Sequence, residues 1–116
     1  MKINSYSFGR ITVNGKEYTG DIKIINGTVK PNWWRRQGHL LQLEDIDDIV
    51  EASPKVLVVG TGSAGVMRID PQVEEQLSNL GIRLEAARSA QAVELFNRLV
   101  DELGPDKVSL AIHLTC

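Results

Sequence analysis

The chain has 116 residues, which is the length of one domain, 1–116. That is enough to bury roughly two thirds of the surface of the unfolded chain without a disulfide or metal staple. Hydrophobic residues at 42%, charged residues at 24% and a net charge of −2 describe an ordinary globular domain and exclude a strongly basic field that would draw in nucleic acid or anionic membrane. No apolar run approaches the ~20 residues needed to cross a bilayer. Met1-Lys2-Ile3-Asn4 opens neither a secretory nor an Arg-rich transit segment, and the single cysteine, Cys116, precludes an internal disulfide. The expectation is a cytoplasmic protein with no nucleic-acid or membrane partner.

The first thirty residues read as β structure. Ile11 and Val13 alternate with polar neighbours, Asn14-Gly15 is a type I′ turn signal, and Glu17-Tyr18-Thr19 returns. Asp21 to Ile25 continues as a strand, and Asn26-Gly27 turns it into Thr28-Val29-Lys30. A loop from Pro31 to Gln42 follows. Leu43, Ile46, Ile49 and Val50 then mark an amphipathic helix, with the acids from Glu44 to Glu51 on its solvent face and Ser53-Pro54 at its end. Lys55 to Val59 is a continuous apolar run suited to a strand buried on both faces. Asp70-Pro71 opens a second helix, with Val73, Leu77 and Leu80 inward and Gly81 just past its end. Ile82 to Ala86 is the next strand. Ser89 is placed as the cap of a third helix, whose buried face carries Ala92, Phe96, Leu99, Val100 and Leu103 and which stops at Gly104-Pro105. In the closing strand Val108, Leu110, Ile112 and Leu114 share one face, with Ser109, Ala111 and His113 on the other. This order predicts an α/β fold bordering on α+β. The expected form is a three-layer sandwich around a mixed, mostly parallel sheet, with helices packed on it and an N-terminal antiparallel meander.

The apolar strand runs into Gly60-Thr61-Gly62-Ser63-Ala64-Gly65, which spells G-x-G-x-x-G, and Glu85 lies where dinucleotide folds place a ribose-binding acid. The mechanism behind that pattern needs a helix N-terminus inside the motif. Here the helix start falls at Asp70-Pro71. A helix begun at Gly62 would bury Pro71 at a cost of about 3 kcal/mol. The glycines instead permit positive φ or close backbone approach at a strand end, where a small ligand can still sit. No cofactor is expected.

Taken together, several features resemble the adipogenesis-associated Mth domain family, which includes the branch of mitochondrial complex I assembly factor 3. They are Tyr18, Asp21 to Ile25, the loop tryptophans, Val58-Val59-Gly60-Thr61-Gly62 with Gly65, Leu80-Gly81-Ile82, Ala92 with Phe96-Asn97-Arg98-Leu99, and His113-Leu114-Thr115-Cys116. The resemblance covers nearly the whole chain. It departs at Ser89, where the family has Thr, and at Phe96, where it has Tyr. It implies the three-layer fold and a domain without an assigned enzymatic activity.

Among groups that carry chemistry, Cys116 and His113 would need the closing strand to end before they could act as a pair. His39, His113 and Cys116 have no metal-ligand spacing, so no metal is expected. The segment Trp33-Trp34-Arg35-Arg36 combines the two residue types most enriched at interface hot spots. A plainer alternative has one tryptophan plugging the sheet edge and both arginines solvated. The expectation is a non-enzymatic binding or assembly-type module acting through Trp33–Arg36, with Gly60, Thr61, Gly62 and Gly65 beside it, on a protein partner or a small anion. The rival is an enzyme or anion binder that uses the glycine loop with Arg68, His113 or Cys116.

Overall fold

The apolar run after Lys55 becomes strand β7 (Val56–Thr61), and its neighbours explain why every side chain in its first five positions is buried. In the computed structural model, which describes residues 1–116, β7 lies between β10 (Val108–His113) and β9 (Arg83–Ala87), parallel to both. Beyond β10 the sheet continues antiparallel through β4 (Ile22–Ile25) and β5 (Thr28–Lys30), giving the order β5-β4-β10-β7-β9. Crossover helices account for the parallel pairs, and the Asn26-Gly27 turn accounts for the β4–β5 hairpin.

Three layers form because the sheet is apolar on both faces. On one side, α3 (Ser89–Leu103) and a separate antiparallel sheet of β1 (Ile3–Ser7), β2 (Arg10–Val13) and β3 (Lys16–Tyr18) cover Val58, Leu110 and Ile112, with Phe96 at the centre. On the other, a 3-10 turn (Leu43–Ile46) running into α1 (Asp47–Ala52), together with α2 (Pro71–Asn79), covers Leu57, Val59 and Ala111. The two faces of β10 divide as the period of two requires: Leu110, Ile112 and Leu114 join the first core and Ala111 the second. Helix α2 begins where Asp70 and Pro71 place it, with the Asp70 carboxylate accepting from the Gln72 N–H at 2.9 Å.

Five details differ from the sequence reading. Leu80 and Leu103, expected on the buried faces of the second and third helices, are 49% and 40% exposed, because Leu80 lies just past the end of α2 and Leu103 is the last residue of α3. The N-terminal meander is shared between two sheets, because β4 leaves β3 to pair with β10. The loop from Pro31 to Gln42 contains a short strand, β6 (Leu40–Leu41), which pairs with β8 (Arg68–Ile69); two-residue strands carry no readable period. Asp45 is buried rather than on a wet helix face, since its carboxylate accepts the backbone N–H groups of Arg36 and Gln42. Ser89 does not cap α3, which is preceded by Arg88. Its hydroxyl instead accepts from the Gly62 N–H at 2.9 Å and donates to the His113 carbonyl at 2.5 Å, tying the ends of β7 and β10 together.

Candidate functional site

The C-terminal ends of β7 and β10 and the N-terminal end of β4 meet at one edge of the central sheet, the edge where α/β folds place ligands. Two loops gather there, and each follows from local chemistry.

The tryptophan–arginine loop is pinned almost everywhere. The Trp33 N–H donates to the Asp21 carbonyl at 2.8 Å, and its indole Nε1–H donates to the Asp45 carbonyl at 3.0 Å. The ring is 7% exposed and joins the second core. The Arg36 N–H donates to the Asp45 carboxylate at 3.1 Å. Arg35 Nε donates to the Gly38 carbonyl at 2.9 Å, and its guanidinium lies 4.7 Å from the centre of the Trp33 ring. The one large apolar side chain of the loop that faces water is Trp34, 87% exposed. Arg36 is solvated and meets only the exposed Glu44 at 3.4 Å, a contact of little energetic weight.

Arg35 is not solvated. Its side chain is 4% exposed and lies in a charged cluster with Asp21 and His113. Asp21 Oδ1 accepts the Leu114 N–H at 2.7 Å. Asp21 Oδ2 lies 2.9 Å from Arg35 Nη1 and 2.8 Å from His113 Nδ1. Arg35 Nη2 lies 3.0 Å from the same Nδ1. His113 Nε2 is 3.4 Å from the Thr115 hydroxyl, and the His39 ring stands edge-on to His113 at 5.7 Å. A guanidinium can only donate and a carboxylate can only accept, so both partners compete for one ring nitrogen. When Nδ1–H donates to Asp21, Nη2 has no acceptor there. Nη1 is buried and sits against Asp21 outside hydrogen-bond geometry. The cluster thus buries a cation with more donors than its neighbours can accept. It forms the floor of a cleft of about 360 Å³ whose wall includes Trp34, Asn32, Gly38 and Thr115.

The glycine loop is occupied by its own chain. Gly62 N–H donates to Ser89, Ser63 N–H to the Thr115 carbonyl at 2.6 Å, and the Ala64 and Val66 N–H groups to the Cys116 carbonyl at 3.3 and 3.0 Å. Gly65 N–H closes on the Gly62 carbonyl, and Met67 N–H on Thr61. Gly62 has φ +105°, and a Cβ there would overlap the Cys116 backbone. A Cβ on Gly60 would meet Ile112 at 2.5 Å and Ser89 at 2.9 Å. Thr61 directs its hydroxyl to the Ala87 carbonyl.

The sequence profile of a family described as "Protein of unknown function (DUF498/DUF598)" matches residues 3–113. The chain belongs to this family. NADH dehydrogenase (ubiquinone) 1 alpha subcomplex assembly factor 3 of Xenopus tropicalis is 31% identical over 104 residues, covering 88% of this chain and 56% of that protein. The chain therefore spans little more than half the length of that relative. A conserved hypothetical protein of Pyrococcus horikoshii OT3 superposes over 100% of both chains with a TM-score of 0.79 and 26% identity. A Bordetella pertussis protein described as an Mth938-like domain superposes over 97% of this chain and 85% of its own, with a TM-score of 0.66 and 22% identity.

In this family member the residues singled out from sequence, apart from the solvated Arg36, fall into three places. Trp34, Arg35 and His113 line the cleft, with Trp33 beneath them. Gly62 packs against the exposed Cys116, while Gly60 abuts Ile112 and Ser89, Thr61 bonds Ala87 and Gly65 abuts Arg88. Arg68 is exposed on β8, where its N–H donates to the His39 carbonyl at 2.8 Å. Asp21 and Thr115 were not picked out as site residues. The sequence signals for Asp21 are its place in the Asp21 to Ile25 segment of the family resemblance and an acid at the start of an apolar strand. A further polar group lies behind the glycine loop: the Tyr6 hydroxyl donates to the Leu114 carbonyl at 2.8 Å. Burial pushes the Tyr6 phenol above its ordinary value of 10.0, hydrogen bonds to Ser63 and Ser89 pull it back in part, and the Asp21 charge adds to the rise. No helix is long and apolar enough to cross a membrane.

Proposed function

We propose that the domain is a non-enzymatic protein-binding module of the assembly-factor type, docking through Trp34 on the rigid Trp33–Arg36 loop. The observation that carries this reading is a nearly fully exposed tryptophan whose neighbours on both sides are fixed by hydrogen bonds. Such an anchor loses little freedom on binding. Of five exposed large apolar side chains, three, Phe8, Trp34 and Val66, belong to segments bonded to residues 113–116, so one edge of the molecule concentrates apolar surface. The kinship with a complex I assembly factor supports a protein partner. The rival use of the glycine loop loses support because the N–H groups from Gly62 to Met67 already have acceptors within the chain. A reducing compartment such as the cytoplasm suits the exposed Cys116 thiol.

The test is a pull-down from native lysate with wild type and the Trp34→Ala/Arg36→Ala double variant. Both residues are exposed, so the variant keeps the fold. Loss of the wild-type partner from the folded variant is expected; an unchanged partner set would refute docking through this loop.

A further inference from the structure

The cleft beside Trp34 has a floor whose hydrogen-bonding needs define a ligand. Arg35 is buried, its Nη1 is paired with Asp21 Oδ2 at 2.9 Å outside hydrogen-bond geometry, and its Nη2 contests His113 Nδ1 with the Asp21 carboxylate. When Nδ1–H goes to Asp21, Nη2 is the donor left without an acceptor, and one delivered by a ligand would be favoured. The charge of that acceptor follows from the surroundings. Asp21 already balances Arg35, and the nearby carboxylate of Asp45 is engaged by the loop backbone, so a second anion would meet repulsion without a free cation. A neutral carbonyl fits. With Nδ1–H given to Asp21, His113 Nε2 holds a lone pair, and the Thr115 hydroxyl lies 3.4 Å from it. The floor therefore offers a donor and an acceptor side by side, and the exposed Trp34 ring forms an apolar wall.

We propose that this cleft binds a planar amide, its carbonyl accepting from Arg35 Nη2, its N–H donating to His113 Nε2 or the Thr115 hydroxyl, and its flat face against Trp34. The inference rests on the reading of the Trp33–Arg36 loop as the working surface and names what that surface recognises. The amide can come from an Asn or Gln side chain of a protein partner or from a free aromatic amide. It names a neutral group where the sequence reading has a protein partner or a small anion.

The experiment is an amide-correlation NMR titration of the full chain with four probes: benzamide, benzoate, acetophenone and the capped dipeptide N-acetyl-Phe-Asn-amide. Benzamide or the dipeptide is expected to give saturable shifts of the Trp34 indole and Gly38 signals, with a Kd around millimolar for so small a ligand. Acetophenone, which keeps the carbonyl and loses the N–H, should bind about tenfold more weakly, the equivalent of one hydrogen bond. The shifts should vanish in Trp34→Ala and weaken in Thr115→Val. Tighter binding of the dipeptide assigns the amide to a protein partner; tighter binding of benzamide assigns it to a free ligand. Benzoate binding more tightly than benzamide, equal affinity for acetophenone, or no saturable shift would overturn the proposal. Loss of amide binding with partner capture intact would overturn this inference alone and leave the docking surface standing.

Discussion

Two loops share the C-terminal edge of the sheet and use their polar groups in opposite ways. The Gly60–Gly65 loop directs its N–H groups inward onto residues 115–116 and Ser89, and closes itself. The Trp33–Arg36 loop is held just as firmly, yet it presents a bare tryptophan and buries the Arg35 guanidinium with Nη1 outside hydrogen-bond geometry. The first looks like a cofactor site by its letters and is a structural clasp by its geometry. The second matches no motif and carries the features of a recognition surface. Glycines show where the backbone comes close to something; only the hydrogen-bond partners show whether that something is a ligand or the chain itself.

The sharpest contrast lies within one loop, between adjacent tryptophans. Trp33→Ala removes a core ring and the indole bond to Asp45, and is expected to cost about 3–5 kcal/mol in urea unfolding. Trp34→Ala should stay within about 0.5 kcal/mol of wild type while losing partner capture. Equal effects on stability would erase the distinction between plug and anchor.

Gly62→Ala tests the clasp. Positive φ and overlap with the Cys116 backbone should together cost roughly 3 kcal/mol. A neutral result would mean that residues 115–116 do not fill the loop.

Asp21→Asn tests the charged floor. It keeps an acceptor for the Leu114 N–H but leaves Arg35 buried without its counter-charge, at an expected cost of about 2–3 kcal/mol, below the range for fully buried pairs because Asp21 is partly exposed. Stability equal to wild type would show that Arg35 finds its acceptors elsewhere.

The smallest effect is at Tyr6. Tyr6→Phe loses the bond to Leu114 and should cost about 1 kcal/mol near neutral pH. Because burial raises the phenol's pKa above 10.0, the folded state holds that proton longer than the unfolded state. The contribution is complete below pH 10 and falls as pH climbs through the folded value, so the gap between wild type and variant should narrow there. A gap that widens above pH 10 would contradict the burial of the phenol.

Much of this architecture was legible in the residues. The β10 alternation, the Asp70-Pro71 helix start and the Asn-Gly turns each encode local geometry through period, capping or φ, and each appears where those rules place it. The candidate site at the sheet edge was only partly legible. Trp34 and Arg35 stood out by type, but adjacency could not reveal that one faces water while the other is buried. Asp21, Arg35 and His113 are joined across 78 and 92 residues of chain by the antiparallel pairing of β4 with β10. Ser89 read as a helix cap because capping is the local use of a serine hydroxyl; its actual partners, Gly62 and His113, are set by tertiary contact.

The central claim, that the tryptophan–arginine loop faces the partner while the glycine loop faces the chain itself, is tested most directly by site-specific photo-crosslinking. A photoreactive residue is placed at position 34 in one variant and at position 64 in another, and both are irradiated in native lysate. A discrete protein adduct from position 34, with position 64 yielding none, is the predicted result. An adduct from position 64 with none from position 34 would contradict the account.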